Sequence, residues 1–252
     1  MIRVARGLLK TSSATFSRRS VATKSPGSNP LEILRQECSG RKLCDEQGYR
    51  LNDAHWVCAV AVPMEDKAPN LRTVHILRVS PAGFDMIFKA GGATAQKLLE
   101  STPVSLLHTQ GRFVPGESAE QYRGEGNCVP IPLADLQEEL PVFSLTGMMA
   151  SRRWAAEAGN PTDTRQGTGV KAHWTQILQQ TRQDLENDRI SMEEMEECVQ
   201  AFRFRPDRLE YMAGTPGALM WDRWEWMSES KETPTSVDDP IEWGTPRNLV
   251  PH

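Results

Sequence analysis

Three apolar runs follow one another with only turn-forming residues between them: WVCAVAV at 56–62, RTVHILRV at 72–79 and FDMIF at 84–88. This succession constrains the fold more than any other feature of the chain. The runs are rich in β-branched residues, and the second alternates along its length, which marks strands. PMEDKAPN (63–70) and Ser80-Pro81-Ala82-Gly83 have turn composition. A parallel pair needs a crossover of about a dozen residues or more, usually helical, and neither connection carries a helical pattern. The three strands are therefore expected to form an antiparallel meander.

The flanking segments extend this frame. Asn29-Pro30 before LEILRQEC predicts a short helix, with Asn as its cap and Pro in its first turn. GGATAQKLLES (91–101) changes to helical spacing through Ala95, Leu98 and Leu99, and VSLLHT (104–109) returns to strand. GRFVPGES (111–118) is a connection, and EQYRGEG (120–126) predicts a strand running on into CVPI. Helices are expected at LADLQEEL (133–140), SLTGMMASRRWAAEA (144–158) and KAHWTQILQQTRQDLEN (171–187). In the last of these, Trp174, Ile177, Leu178 and Leu185 fall on one stripe. Ser191-x-x-Glu194 is a capping box and predicts a further helix over MEEMEECVQAF. FRFRPDRLEYM (202–212) and ALMWDRWEWM (218–227) read as a closing hairpin, with Trp221, Trp224 and Trp226 taken as one face of its second strand. The polar stretch 228–240 reads as a mobile loop. Strands first, a helical insertion at about 133–200 and a terminal hairpin give a mainly β chain with peripheral helices, arranged as an antiparallel barrel.

Charge divides the chain. Arg3, Arg6, Lys10, Arg18, Arg19 and Lys24 all precede the first acidic residue, Glu32, and are interleaved with serine and threonine. As a helix, Ile2, Ala5, Leu8 and Leu9 fall near one face and the first three cations near another. An amphipathic, Arg-rich, acid-free start has the character of a mitochondrial presequence. Residues 1–25 are expected to be that presequence, with 26–252 a single domain working in the mitochondrion, the matrix being the expected compartment. Without 1–25 the chain keeps 23 basic residues against 33 acids. An acidic balance of that size does not indicate a nucleic-acid partner. No apolar run approaches the ~18 residues of a membrane span. Five cysteines without a C-x-x-C read as reduced thiols, and His55, His75, His108, His173 and His252 lack ligand spacing, so no metal site is expected.

The order of these pieces resembles the pyridoxamine 5′-phosphate oxidase-like family of FMN-binding split barrels. The resemblance rests on CAVAV, Leu71-Arg72-Thr73-Val74, Gly83-Phe84, LLESTPVSLL (98–107), Glu120-Gln121-Tyr122-Arg123-Gly124-Glu125-Gly126, RPDRLEYMAG (205–214), Trp221-Asp222-Arg223 and Trp243 with Leu249-Val250-Pro251. It covers about 30–251 and is loose across 141–200. It implies an antiparallel split β-barrel with FMN at a subunit seam. Arg72 and Gln121 would then reach the flavin ring, Thr73 would add a hydroxyl, and Arg223 would stand where the oxidases hold substrate and flavin. The expected phosphate site is Gly91, Gly92 and Thr94 with help from Lys97. Arginine or amide donors suit the ring edge on which charge accumulates in reduction.

The departures lie at both ends of that site. The oxidases grip the phosphate with a basic turn, whereas here the turn is Ala93-Thr94-Ala95. They grip substrate with Arg-x-His, whereas here Trp221 takes the His place. Pyridoxamine phosphate oxidation itself is therefore not expected. Two readings stay open: a flavin-binding protein with altered or impaired oxidoreductase chemistry, or a non-catalytic split-barrel module in a mitochondrial assembly. The partner is then a second copy of the chain or a heteromeric complex.

Overall fold

The computed structural model describes residues 29–32, 34, 43–44, 50–51, 56–65, 67–111, 119–158, 168–214, 222–229 and 236–249. The presequence expectation at 1–25, Trp221 and residues 230–235 lie outside the described residues. After a helical turn, α1, at residues 30–32 and 34 and a small hairpin of β1 (Leu43–Cys44) and β2 (Arg50–Leu51), the barrel strands begin. They are β3 (Trp56–Met64), β4 (Lys67–Ser80), β5 (Gly83–Lys89), β6 (Val104–Gly111), β7 (Ala119–Ile131) and β8 (Val199–Gly214). Helix α2 (Ala93–Leu99) joins β5 to β6. A 3-10 turn (Leu133–Glu139), α3 (Val142–Ala158), α4 (Thr168–Glu186) and α5 (Met192–Glu196) separate β7 from β8. β9 (Asp222–Met227) and β10 (Arg247–Asn248) follow.

Every pairing is antiparallel. The order β8-β5-β4-β3-β6-β7 closes on itself through β7 and β8, giving a six-stranded barrel with β9 and β10 continuing from β8. The meander expected at 56–88 is present. β4 starts at Lys67, so the turn before it is shorter than PMEDKAPN suggested. The barrel is split because β8 changes neighbour along one edge. Residues 199–204 pair with β5, and residues 208–213 pair with β9. Pro206, which has no N–H to give a ladder, sits at the change, opposite a register shift at Glu125/Gly126. The close approach there needs glycine, since a Cβ on Gly126 would overlap the Arg205 carbonyl oxygen and lie 2.7 Å from the Pro206 Cα.

Alternation carries one side chain in two into the barrel. Val60, Ile76, Phe84, Met86, Phe202 and Phe204 fill it, and α2 closes one end with Ala95 and Leu98. A second apolar layer lies outside β5 and β8, where Leu136, Leu145, Met149 and Ile190 pack on Ile87, Val199 and Ala201. Of the α4 stripe, Ile177 is buried, and Trp174, Leu178 and Leu185 are half-buried.

Two expectations change. The capping box works as read, with the Ser191 Oγ accepting from the Glu194 N–H at 3.1 Å. The helix it opens stops at Glu196, however, and Val199-Gln200-Ala201-Phe202 begins β8. Trp226 is core and Trp224 packs beside it. The ends of 228–240 are fastened: Ser228 bridges Trp243, and Asp238 receives a 2.5 Å bond from Arg203. The Val237 carbonyl accepts from Arg203 and Arg205, and the Ile241 N–H reaches the Pro81 carbonyl at 2.9 Å. Together these contacts lay a strap across the split.

Candidate functional site

Strand parity decides where the expected flavin residues go. Arg72 pairs with Val60, and the same row runs on through Leu106 and Gly124 on the inward side. Arg72 is nonetheless exposed, because β5 pairs with β4 only from Ile76 onward and the barrel wall is open beside Arg72. Two residues away on the same side, the Asn70 amide donates to the Thr94 hydroxyl at 3.0 Å. Arg72 is thereby placed at the α2 end of the barrel. Its guanidinium has no ion pair or hydrogen bond among the described residues.

The Gly91-Gly92 turn opens α2. Gly91 takes φ +68°, a region open to glycine, and faces free space. Gly92 caps the helix without a side-chain bond, and its N–H goes to the Lys89 carbonyl at 3.2 Å. The N–H groups of the first turn have no partner within the helix. Thr94 is buried and Lys97 half-buried. The Lys97 ammonium donates to Glu100 at 2.6 Å and to Glu65 at 2.9 Å, which raises its pKa. The one cation expected to help a phosphate is thus already shared between two carboxylates.

Thr73, Gln121 and Arg223 lie on the other, outer face. Thr109, Gln121, Met212 and Arg223 form one row across β6 to β9. The next row runs Leu107, Arg123, Glu210, Glu225 and Arg247 across β6 to β10. In the third, Ser105, Glu125, Arg208 and Met227 follow in register. The structure therefore sets Gln121 and Arg223 in one row, on either side of Met212, and Arg72 at the same end of the barrel as the 91–94 turn. It does not bring the first pair to the second within one copy.

Beneath the outer face lie two carboxylates with almost no exposure, Glu210 at 5% and Glu225 at 4%. Glu210 accepts from the Arg223 Nε at 2.7 Å and from an Arg208 terminal nitrogen at 3.3 Å. Glu225 accepts from the Arg208 Nε at 2.6 Å and from Arg247. Burial pushes the Glu225 carboxyl up, but the Arg208 and Arg247 hydrogen bonds outweigh it and its pKa is lowered. Arg223 is held charged, chiefly by its hydrogen bond to Glu210. Sequence reasoning missed Glu210, Glu225, Arg123 and Asn70. The signal was present in the period-2 spacing of Arg208, Glu210 and Met212 against Arg223, Glu225 and Met227.

No family model matches this sequence, and no curated protein matches it. Solved structures do. PhzG from Burkholderia lata 383, solved in complex with tetrahydrophenazine-1-carboxylic acid, aligns over 90% of this chain and 95% of its own, at 14% identity and a TM-score of 0.54. The two chains share a fold. A pyridoxamine 5′-phosphate oxidase-related, FMN-binding protein from Nostoc punctiforme PCC 73102 aligns over 88% of this chain and 97% of its own, at 14% identity and a TM-score of 0.49. The split barrel expected from the sequence is the fold found, and the resemblance to the pyridoxamine 5′-phosphate oxidase-like family holds at that level.

A guanidinium unpaired among the described residues at the open wall, and an amide in the same row as an anchored arginine, suit the electron-accepting edge of the ring. The phosphate end is poorer: the turn offers backbone N–H groups, and Lys97 is already paired.

Proposed function

We propose that this chain is a flavin-binding split-barrel protein with oxidoreductase chemistry other than pyridoxamine phosphate oxidation, and that two copies together complete each site. The observation that carries this reading is the division of the donors: Arg72 with the 91–94 turn at the open wall, and Gln121 with Arg223 on the outer face. One copy would supply the first set and its neighbour the second. Exposed apolar side chains on the same outer face, Val57 and Leu71, give a second copy surface to cover. When bound, FMN would supply hydride or electron transfer. Arg72, Gln121 and Arg223 would hold the ring edge, and the N–H groups of Gly91, Ala93 and Thr94 would hold the phosphate.

Purified full-length chain incubated with FMN and desalted is expected to keep the blue absorption band of bound flavin. Arg72→Ala should weaken retention by about one decade or more, since a hydrogen bond to a charged group contributes roughly 1.5–3 kcal/mol. Lys171→Ala, far out on α4, should not. A colourless wild-type protein after reconstitution would reject this function. The non-catalytic module, favoured by the engagement of Lys97 with Glu65 and Glu100, would then stand.

We place this activity in the mitochondrion on the basic, acid-free start of the chain. N-terminal sequencing of protein from purified mitochondria should begin just after a cleavage between about Arg18 and Lys24. An intact Met1 in that fraction would contradict import with cleavage.

A further inference from the structure

The outer face of the sheet breaks a rule of strand pairing. Glu210 and Glu225 stand directly opposite each other on β8 and β9, and like charges so placed destabilise a sheet. Both are also buried. Local rules broken in this way mark sites where function outweighs stability. The arrangement is retained by arginines: Arg208 bonds both carboxylates, Arg223 bonds Glu210 and Arg247 bonds Glu225. Arg208 is fully occupied, since its remaining terminal nitrogen goes to Glu125 at 3.0 Å. Arg223 is held through Nε alone, so its terminal nitrogens carry no partner among the described residues.

Arg123 is the exception. It lies in register with Glu210 yet is exposed and makes no ion pair or hydrogen bond among the described residues. Glu210 has both its arginines from elsewhere, so the carboxylate facing Arg123 is already satisfied. Gln121, two residues along the same face and also without a side-chain bond among the described residues, lies in the row that holds Arg223, with Met212 between them. On the other side, Leu107 is opposite Arg123 and exposed.

We propose that Arg123, with Gln121 and the terminal nitrogens of Arg223, forms a subsite for the carboxylate of an organic acid whose apolar body lies on Leu107. The charge count selects a monoanion. Among the described residues of these three rows, Arg123, Arg208, Arg223 and Arg247 stand against Glu125, Glu210 and Glu225, an excess of one positive charge. One excess charge balances a carboxylate and leaves a phosphate dianion half uncompensated. A planar guanidinium also matches a carboxylate in paired fashion. Glu210 is a positioning residue here, since it fixes Arg223 without touching the ligand. The subsite draws on Gln121 and Arg223, which the flavin reading also uses, so bound FMN should weaken benzoate binding; the subsite itself stands without that reading.

The test is calorimetric titration of the full-length chain with benzoate, with inorganic phosphate and benzyl alcohol as comparison ligands, before and after FMN reconstitution. Benzoate is expected to bind, benzyl alcohol not to, and phosphate to bind more weakly than benzoate. Arg123→Gln should weaken benzoate by about tenfold or more, because it removes a charge-assisted pair. Arg123→Lys should restore part of that loss, and Lys171→Ala should leave binding unchanged. Benzoate binding that Arg123→Gln does not alter, phosphate binding tighter than benzoate, or no benzoate binding by the wild type would each overturn the proposal. The two readings fail separately. Loss of flavin retention in Arg123→Gln with benzoate unaffected would assign Arg123 to the cofactor and end this proposal only. A colourless protein whose benzoate binding depends on Arg123 would end the flavin reading only.

Discussion

Asp85→Ala is expected to destabilise the protein by about 3–5 kcal/mol, the range for leaving a buried charge without its partner. Asp85 is fully buried on β5 and accepts three charge-assisted bonds: from the Arg203 Nε at 2.7 Å, from an Arg203 terminal nitrogen at 3.1 Å and from the Arg78 Nε at 2.7 Å. Arg203 is itself 3% exposed. Without Asp85 it keeps only Asp238 and the Val237 carbonyl, both on the strap. The damage should therefore spread to the split, because the same guanidinium anchors β5 and the strap. Chemical denaturation measures the loss. Asp85→Asn should lose less than Asp85→Ala, since an amide retains an acceptor. An Asp85→Ala variant within about 1 kcal/mol of wild type would show that water reaches Arg203, contrary to its burial.

Acid should loosen the strap in a narrower way. The hydrogen bond from Arg203 lowers the Asp238 pKa. A carboxyl lowered on folding contributes stability that is present above its unfolded pKa and lost as pH falls through the folded one. The Asp238 contribution is thus intact at neutral pH and disappears only below the ordinary carboxylate range. Hydrogen exchange at 236–241 should accelerate there.

What the sequence disclosed and what it withheld follow from the range of the interactions involved. The β3–β4–β5 meander was legible because alternation and turn residues are local. The α5 boundary was not, because the Ser191 cap fixes where a helix starts and says nothing of where it ends. Val199 to Phe202 is drawn into β8 by pairing with β5 and β7, contacts more than 60 residues away in sequence. The site divides in the same way. Arg72, Gln121 and Arg223 were visible as residue types in order. Their separation onto two sides of one sheet depends on register across several strands, and register was not in any single segment. Lys97 looked available from its place beside the Gly91-Gly92 turn. Glu65, on the far side of β4 in sequence, and Glu100 take its charge.

Phe204→Ala should cost about as much as the loss of Asp85, for an apolar reason. Phe204 is fully buried on β8, packs 6.0 Å from Phe84 between ring centres, and sits where β8 passes from β5 toward β9. Truncating a buried Phe leaves a cavity that the surrounding strands cannot close, with a typical cost of 3–5 kcal/mol. A compensating pair makes the cause testable. Gly124 on β7 has no side chain because a Cβ there would lie 2.8 Å from the Phe204 Cε1 and 3.2 Å from its Cζ. Gly124→Ala alone should therefore overpack the site and destabilise by roughly 1–3 kcal/mol. The added methyl occupies the space that a smaller residue at 204 would vacate, so Gly124→Ala with Phe204→Leu should lose less than the sum of the two single losses. Double-mutant denaturation gives the coupling directly, and strict additivity would mean that Gly124 is glycine for some reason other than the Phe204 ring.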